Sequence, residues 1–176
     1  MRTARPLAES LAAAAAIRDV ALDWLGEVGS VALFVSTGRE PGTGPLLDAL
    51  HSRGVRVLLP VVRAGRVLDW AEYAGPDALA PATYGLLEPI GPLLGEAAVA
   101  TVDVLLAPGL AVSRDGVRLG QGGGFYDRVL GLLPATTRRA VVLHDDEVGL
   151  DVPAEPHDQR VPLALTPSGL VPLTAG

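Results

Sequence analysis

The sequence predicts a three-layer α/β/α fold built on a mainly parallel, Rossmann-like sheet, with residues 1–176 forming a single domain. Three observations predict it. Short Val- and Leu-rich runs alternate with helix-length stretches along the chain. The runs are apolar at nearly every position, as strands covered on both faces require. The order strand, helix, strand then calls for crossovers rather than hairpins.

Taken in order, residues 7–25 read as a helix, alanine-rich and interrupted only by polar positions such as Arg18, Asp19 and Asp23. "SVALFVS" (30–36) is a β-rich run leading into the turn-like "TGREPGTG". "GPLLDALHSRG" is a helix ending on Gly54, a residue suited to the position after a helix. "VRVLLPVV" is a buried strand with Pro60 near its end, where a ladder donor is dispensable. "RVLDWAEY" alternates as an edge strand or half of a hairpin. Residues 75–95 are too dense in Gly and Pro for a helix and read as a long ordered loop. "VDVLLAPGLAV" is a third buried strand with its exit, followed by a glycine stretch and a helix to about Leu133. "RAVVLHD" is another strand, and "VPLALTPSGLVPL" closes the chain with one or two short ones.

Composition excludes several chemistries. The chain has no cysteine, hence no disulfide, thiol nucleophile or thiolate metal site. All 14 basic residues are arginine, so there is no P-loop lysine and no Schiff base. A formal charge of −6 argues against nucleic-acid binding through a broad basic face. No apolar run reaches the ~20 residues of a membrane span. The expectation is a cytoplasmic monomer.

The chemistry concentrates in "GVRLGQGGGFYDR" (116–128). Glycines at 120, 122, 123 and 124 let backbone amides approach a ligand closely and form a nest for phosphate oxygens. A helix starting near Gly124 adds positive potential at the same place. Arg118 and Arg128 offer forked donors, and Asp127 falls in the first helical turn, where it can hold Mg²⁺. The plainer readings are a flexible loop, a helix-start acid and a surface arginine. The stretch lies beyond the carboxyl end of the "VDVLLAP" strand, where open α/β sheets bind ligands. His51, His144 and His157 lack metal-ligand spacing, and "HDDE" (144–147) reads as a solvated acidic turn.

The full string resembles the signature of the 5-formyltetrahydrofolate cyclo-ligases, G-x-R-L-G-x-G-x-G-[FY]-Y-D. It matches at Gly116, Arg118, Leu119, Gly120, Gly122, Gly124, Phe125, Tyr126 and Asp127. "STGREPGT", "RGVRVLLPVV", "YGLLEP", "VLLAPGLAV" and "VPAEPHDQRVPLALTPSG" are similar to further family segments in the same order, so the likeness spans about residues 10–173.

This resemblance implies an enzyme that uses ATP and Mg²⁺ to turn 5-formyltetrahydrofolate into 5,10-methenyltetrahydrofolate, releasing ADP and phosphate. The formyl oxygen takes the γ-phosphoryl group, N10 closes the ring, and phosphate leaves. It also implies site residues. Arg118, Leu119, Gly120, Gln121, Gly122, Gly123, Gly124, Phe125, Tyr126 and Asp127 line the ATP site, and Arg118 and Tyr126 are the catalytic candidates. Asp127 and Asp158 are the metal ligands. Val35, Glu40, Tyr84 and Gly122 to Gly124 contact the folate, with Glu40 accepting pterin N–H groups. Tyr126 either faces the ligand or plugs the core beneath the nest. The basic K-x-x-L-R-like element that opens the family is missing in its usual form, and Arg2 and Arg5 are the candidates to replace it. Glu147 stands where relatives often carry glutamine. The alternative reading is therefore a folate-binding or regulatory relative with impaired turnover.

Overall fold

The computed structural model describes residues 5–155 and 158–174. Helix α1 (Leu7–Leu25) comes first, then β1 (Ser30–Ala32), α2 (Gly44–Ser52) and the hairpin β2 (Arg56–Arg63) and β3 (Val67–Glu72). Two short strands, β4 (Leu79–Pro81) and β5 (Leu87–Pro89), pair with each other. Strand β6 (Val104–Pro108) follows, then a second small hairpin of β7 (Ala111–Val112) and β8 (Arg118–Leu119). Helix α3 (Phe125–Leu132), β9 (Arg138–Val142), β10 (Leu163–Thr166) and β11 (Gly169–Pro172) complete the chain.

The seven-stranded sheet runs β11-β10-β9-β6-β1-β2-β3. The five inner strands are parallel, and the antiparallel β3 and β11 close its edges. One apolar layer joins Ile17, Ala21 and Leu25 of α1 and Leu46, Leu47 and Leu50 of α2 to one sheet face. A second joins Val129 and Leu130 of α3, with Val99 and Val102, to the other face. This is the three-layer architecture expected from the alternating runs.

Several elements differ from the sequence reading in detail. "SVALFVS" is extended only over Ser30–Ala32, because Phe34 to Thr43 turn away and hydrogen-bond among themselves. The Gly/Pro-rich stretch 75–95 is not loop throughout: Leu79–Pro81 and Leu87–Pro89 pair as a small ladder, and Thr83–Gly85 form a 3-10 turn. Pro60 costs no ladder bond with β1, whose partners on β2 are residues 56–58, and it sits opposite Trp70 of β3. The "HDDE" turn is only half solvated. Asp145 and Asp146 are exposed, whereas His144 and Glu147 are buried, with the Glu147 carboxylate accepting the His144 amide at 2.9 Å.

Candidate active site

Strand β1 has β2 on one side and β6 on the other, so the chain reverses its direction of travel across the sheet between β1 and β6. In open α/β sheets the loops leaving the carboxyl ends of two such strands diverge and frame the ligand crevice. One loop carries Glu40. The other leads through β7 and β8 into the glycine stretch.

The Glu40 loop is held by a small set of internal bonds. The Thr43 hydroxyl donates to the Phe34 carbonyl at 2.7 Å and accepts the Ser36 amide, while the Ser36 hydroxyl accepts the Thr43 amide. Glu40 accepts from the Thr37 amide at 2.8 Å and from its hydroxyl at 3.3 Å. Val35, half-buried, packs against the first core beneath this loop.

The glycine stretch has the backbone form the sequence predicts. Gly122 and Gly124 take φ of 82° and 67°, while Gln121 and Gly123 stay outside the positive region. Alternating handedness turns successive amides towards one side, which is the geometry of an anion nest. Among the described residues, no protein acceptor takes a hydrogen from the amides of residues 120 to 124. Helix α3 begins at Phe125, directly behind the nest, and Asp127 lies in its first turn.

Arg118 stands beneath this loop, its side chain 4 % exposed. One Nη donates to Asp127 Oδ2 at 3.1 Å and the other to the Pro108 carbonyl at 3.3 Å. Gly120 passes so close that an added Cβ would meet Arg118 Nη1 at 2.9 Å. The guanidinium also sits 5.7 Å from the centroid of the Tyr126 ring. Leu119 and Gln121 are exposed on the loop, and Phe125 and Tyr126 pack against the second core. The hydroxyl of Tyr126 is buried without a hydrogen-bond partner. Burial pushes its pKa well above the ordinary phenol value; Arg118 pulls it down and the Glu40 carboxylate pushes it up. The phenol is therefore neutral at physiological pH.

Asp158 arrives from the other direction. Val117 and Arg160 form an antiparallel bridge, and Val161 donates to the Gly116 carbonyl at 2.9 Å. Asp158, half-buried, lies two residues before that bridge. Its carboxylate accepts the Glu155 amide at 2.7 Å. Among the described residues no group of three or more His, Cys, Asp or Glu forms a metal cage, so protein ligation would come from fewer groups. Asp127 and Asp158 carry the hard carboxylate oxygens that Mg²⁺ prefers as ligands.

Arg5 is ion-paired with Asp146 in the turn beyond β9, and so lies at the same carboxyl end of the sheet. Arg2 lies outside the described residues. Tyr84 belongs to the 3-10 turn Thr83–Gly85, and the expectation for its side chain lies outside what is described. Arg128 is exposed and donates to the carbonyls of Gly65 and Arg66, tying α3 to the β2–β3 turn. Sequence reading missed Ser36 and Thr43, which pin the Glu40 loop. The signal available was a Thr directly before the Gly-Pro start of α2.

The chain matches a family model described as the 5-formyltetrahydrofolate cyclo-ligase family over residues 2–167. It is 45% identical over 150 residues to the 5-formyltetrahydrofolate cyclo-ligase of Mycolicibacterium smegmatis, covering 82% of this chain and 77% of that protein. The enzyme of the same name from Escherichia coli is 34% identical over 143 residues, covering 79% of this chain and 78% of the relative. In fold it is similar to the 5,10-methenyltetrahydrofolate synthetase of Aquifex aeolicus, with a TM-score of 0.78 at 24% identity over 98% of this chain and 87% of that one. The corresponding synthetase of Mycoplasma pneumoniae gives 0.74 at 18% identity, covering 93% and 90%. The α/β fold and its relatives thus define an enzyme of the ligase class. The chain belongs to the 5-formyltetrahydrofolate cyclo-ligase family.

Proposed function

We propose that the crevice between the ends of β1 and β6 couples ATP cleavage to ring closure of 5-formyltetrahydrofolate, giving 5,10-methenyltetrahydrofolate, ADP and phosphate. The observation that supports it most is the run of amides at 120–124, with positive φ at Gly122 and Gly124 and no protein acceptor among the described residues, in front of α3.

The residues divide the work by position. The nest amides receive the terminal phosphate oxygens, with the α3 amino end behind them. Arg118 is too buried to reach far into solvent; it holds Asp127 in place and adds positive charge under the nest. Asp127 and Asp158 hold Mg²⁺, which when bound screens the charge on the phosphates. Glu40, anchored by Thr37, accepts N–H hydrogens from the pterin, and Val35 forms the floor beside it. Tyr126, whose hydroxyl is buried and whose ring stands 5.7 Å from the Arg118 guanidinium, supports the floor beneath the nest rather than reaching the reactants.

The formyl oxygen attacks the γ-phosphorus and the bond to the ADP oxygen breaks, leaving a phosphorylated imidate. N10 then adds to the imidate carbon and gives up its proton to solvent, and the C–O bond to phosphate breaks as the ring closes. The chain's contribution is alignment and charge neutralisation, which is where phosphoryl transfer gains most of its rate. Arg5 faces the same end of the sheet and serves as the amino-terminal cation for the nucleotide.

Absorbance of the methenyl product in the near ultraviolet, followed with and without ATP and Mg²⁺, tests this directly. Product should form only with both present. Well-folded protein that forms none, and whose melting temperature rises with 5-formyltetrahydrofolate but not with ATP, would overturn the reading in favour of a binding protein.

A further inference from the structure

A second cleft opens at the opposite end of the sheet, where β9 and β10 begin. Its volume is about 550 Å³, and Trp24, Thr136, Thr137, Arg138, Arg139 and Arg160 contribute to its walls. Three guanidinium groups face it against one carboxylate, Asp115, leaving a surplus of two positive charges in a chain whose formal charge is −6. Glu27 and Asp103 border an adjoining hollow that shares Arg138. The Asp103 carboxylate is already engaged by the Gly29 and Ser30 amides and the Ser30 hydroxyl.

The three arginines differ in how they are held and in what neutralises them. Arg138 donates to the carbonyls of Trp24 and Leu25 at the end of α1, and its guanidinium lies 4.4 Å from the Trp24 ring centroid. Arg139 commits one donor to the Pro134 carbonyl at 3.2 Å, leaving the rest of its five-donor fork available. Arg160 pairs with Asp115, whose carboxyl is held below its ordinary value by the Ser113 hydroxyl and then by Arg160 itself. That pair stays ionised at neutral pH, so the uncompensated charges are Arg138 and Arg139. The Thr136 and Thr137 side chains add hydroxyl donors beside them.

We propose that this cleft is a second ligand site, for a small multiply charged oxyanion such as a phosphate ester or a polycarboxylate. Fixed guanidinium forks with hydroxyls alongside match tetrahedral and planar oxyanions, and their rigidity lowers the ordering cost of binding. The site is distinct from the nest, which lies at the other end of the parallel strands. It needs neither folate nor nucleotide at the catalytic crevice.

The experiment is a titration of ¹⁵N-labelled full-length protein with sodium phosphate and, separately, sodium citrate, at ionic strength held constant with sodium chloride. Saturable shifts are expected at the amides of Thr136, Thr137, Arg139 and Leu163 and at the Trp24 indole N–H. The anion that saturates at the lower concentration identifies the preferred class. Arg139→Ala should weaken binding by about tenfold while leaving α1 resonances in place, because Arg138 alone holds the end of that helix. Arg160→Ala serves if the first variant folds poorly, with weaker binding again expected. Shifts that stay linear with both anions, an affinity unchanged in the variants, or shifts confined to residues 118–128 would overturn the proposal.

Discussion

Asp127→Asn separates the chemistry of the nest from its architecture. Asp127 is the only carboxylate on Arg118 among the described contacts, and the guanidinium is 4 % exposed. Removing one member of a well-buried ion pair costs about 3–5 kcal/mol. Here three features reduce that figure. Asp127 is 20% exposed, asparagine keeps an acceptor oxygen in the same place, and the Pro108 carbonyl still accepts from Arg118. The residual cost is about 1–2 kcal/mol, or a fall in melting temperature of about 3–6 °C for a chain of this size. Turnover should fall far more, by about 100-fold or greater, because a neutral amide is a poor Mg²⁺ ligand and the phosphate charge loses its screen. Methenyl absorbance and thermal unfolding measured on the same preparation decide it. Turnover within a few-fold of the parent would refute Asp127 as a metal ligand. Loss of the fold at assay temperature would assign it to holding Arg118 instead.

Three further outcomes follow from the geometry. Glu40→Gln keeps an oxygen for Thr37, so the loop should stay folded while KM for the folate rises about tenfold and KM for ATP does not move; steady-state kinetics on both substrates check this. Gly116→Ala places a Cβ 2.4 Å from the Val161 carbonyl at φ 88°, and should cost at least about 2 kcal/mol by chemical denaturation. Because it parts the hairpin from the segment carrying Asp158, it should also raise the Mg²⁺ concentration needed for half-maximal rate. Burial, and then the hydrogen bond to Asp48 at 3.0 Å, push the Tyr73 phenol up to about 12 from its ordinary 10.0. The folded state thus keeps that proton longer than the unfolded chain. The Tyr73 contribution is constant below pH 10 and is lost as pH rises towards 12; Tyr126, also raised by burial, adds a decline of its own, so denaturant titrations of Tyr73→Phe should show a shallower fall above pH 10 than the parent.

The sheet was legible in the chain because its strands are buried on both faces, so runs such as "VLLAP" carry no polar alternation to confuse them. The glycine stretch was legible because glycine takes the positive φ at Gly122 and Gly124 without the steric cost other residues meet there. Other features depend on contacts between distant residues, which no local pattern encodes. Arg118 reads as a forked donor offered to phosphate oxygens, yet Gly120 folds over it and Asp127 closes on it. Glu147 reads as one acid among three, yet its carboxylate is turned inward onto the His144 amide. The basic cleft joins residues 24, 136–139 and 160, three segments with nothing in common along the sequence.

The central position of β1 has a kinetic consequence. Val31 pairs with Val57 nearby in the chain but also with Val104, far downstream. A nascent chain can therefore assemble β1 with the β2–β3 hairpin early, whereas docking of β6 must close the largest loop joining neighbouring strands, at a corresponding entropic cost. The two walls of the catalytic crevice belong to the two bodies joined by that docking step. Reactants that bridge them act as a cross-link between early- and late-forming halves, so saturating ligand should slow global unfolding as well as quieten the loops it touches.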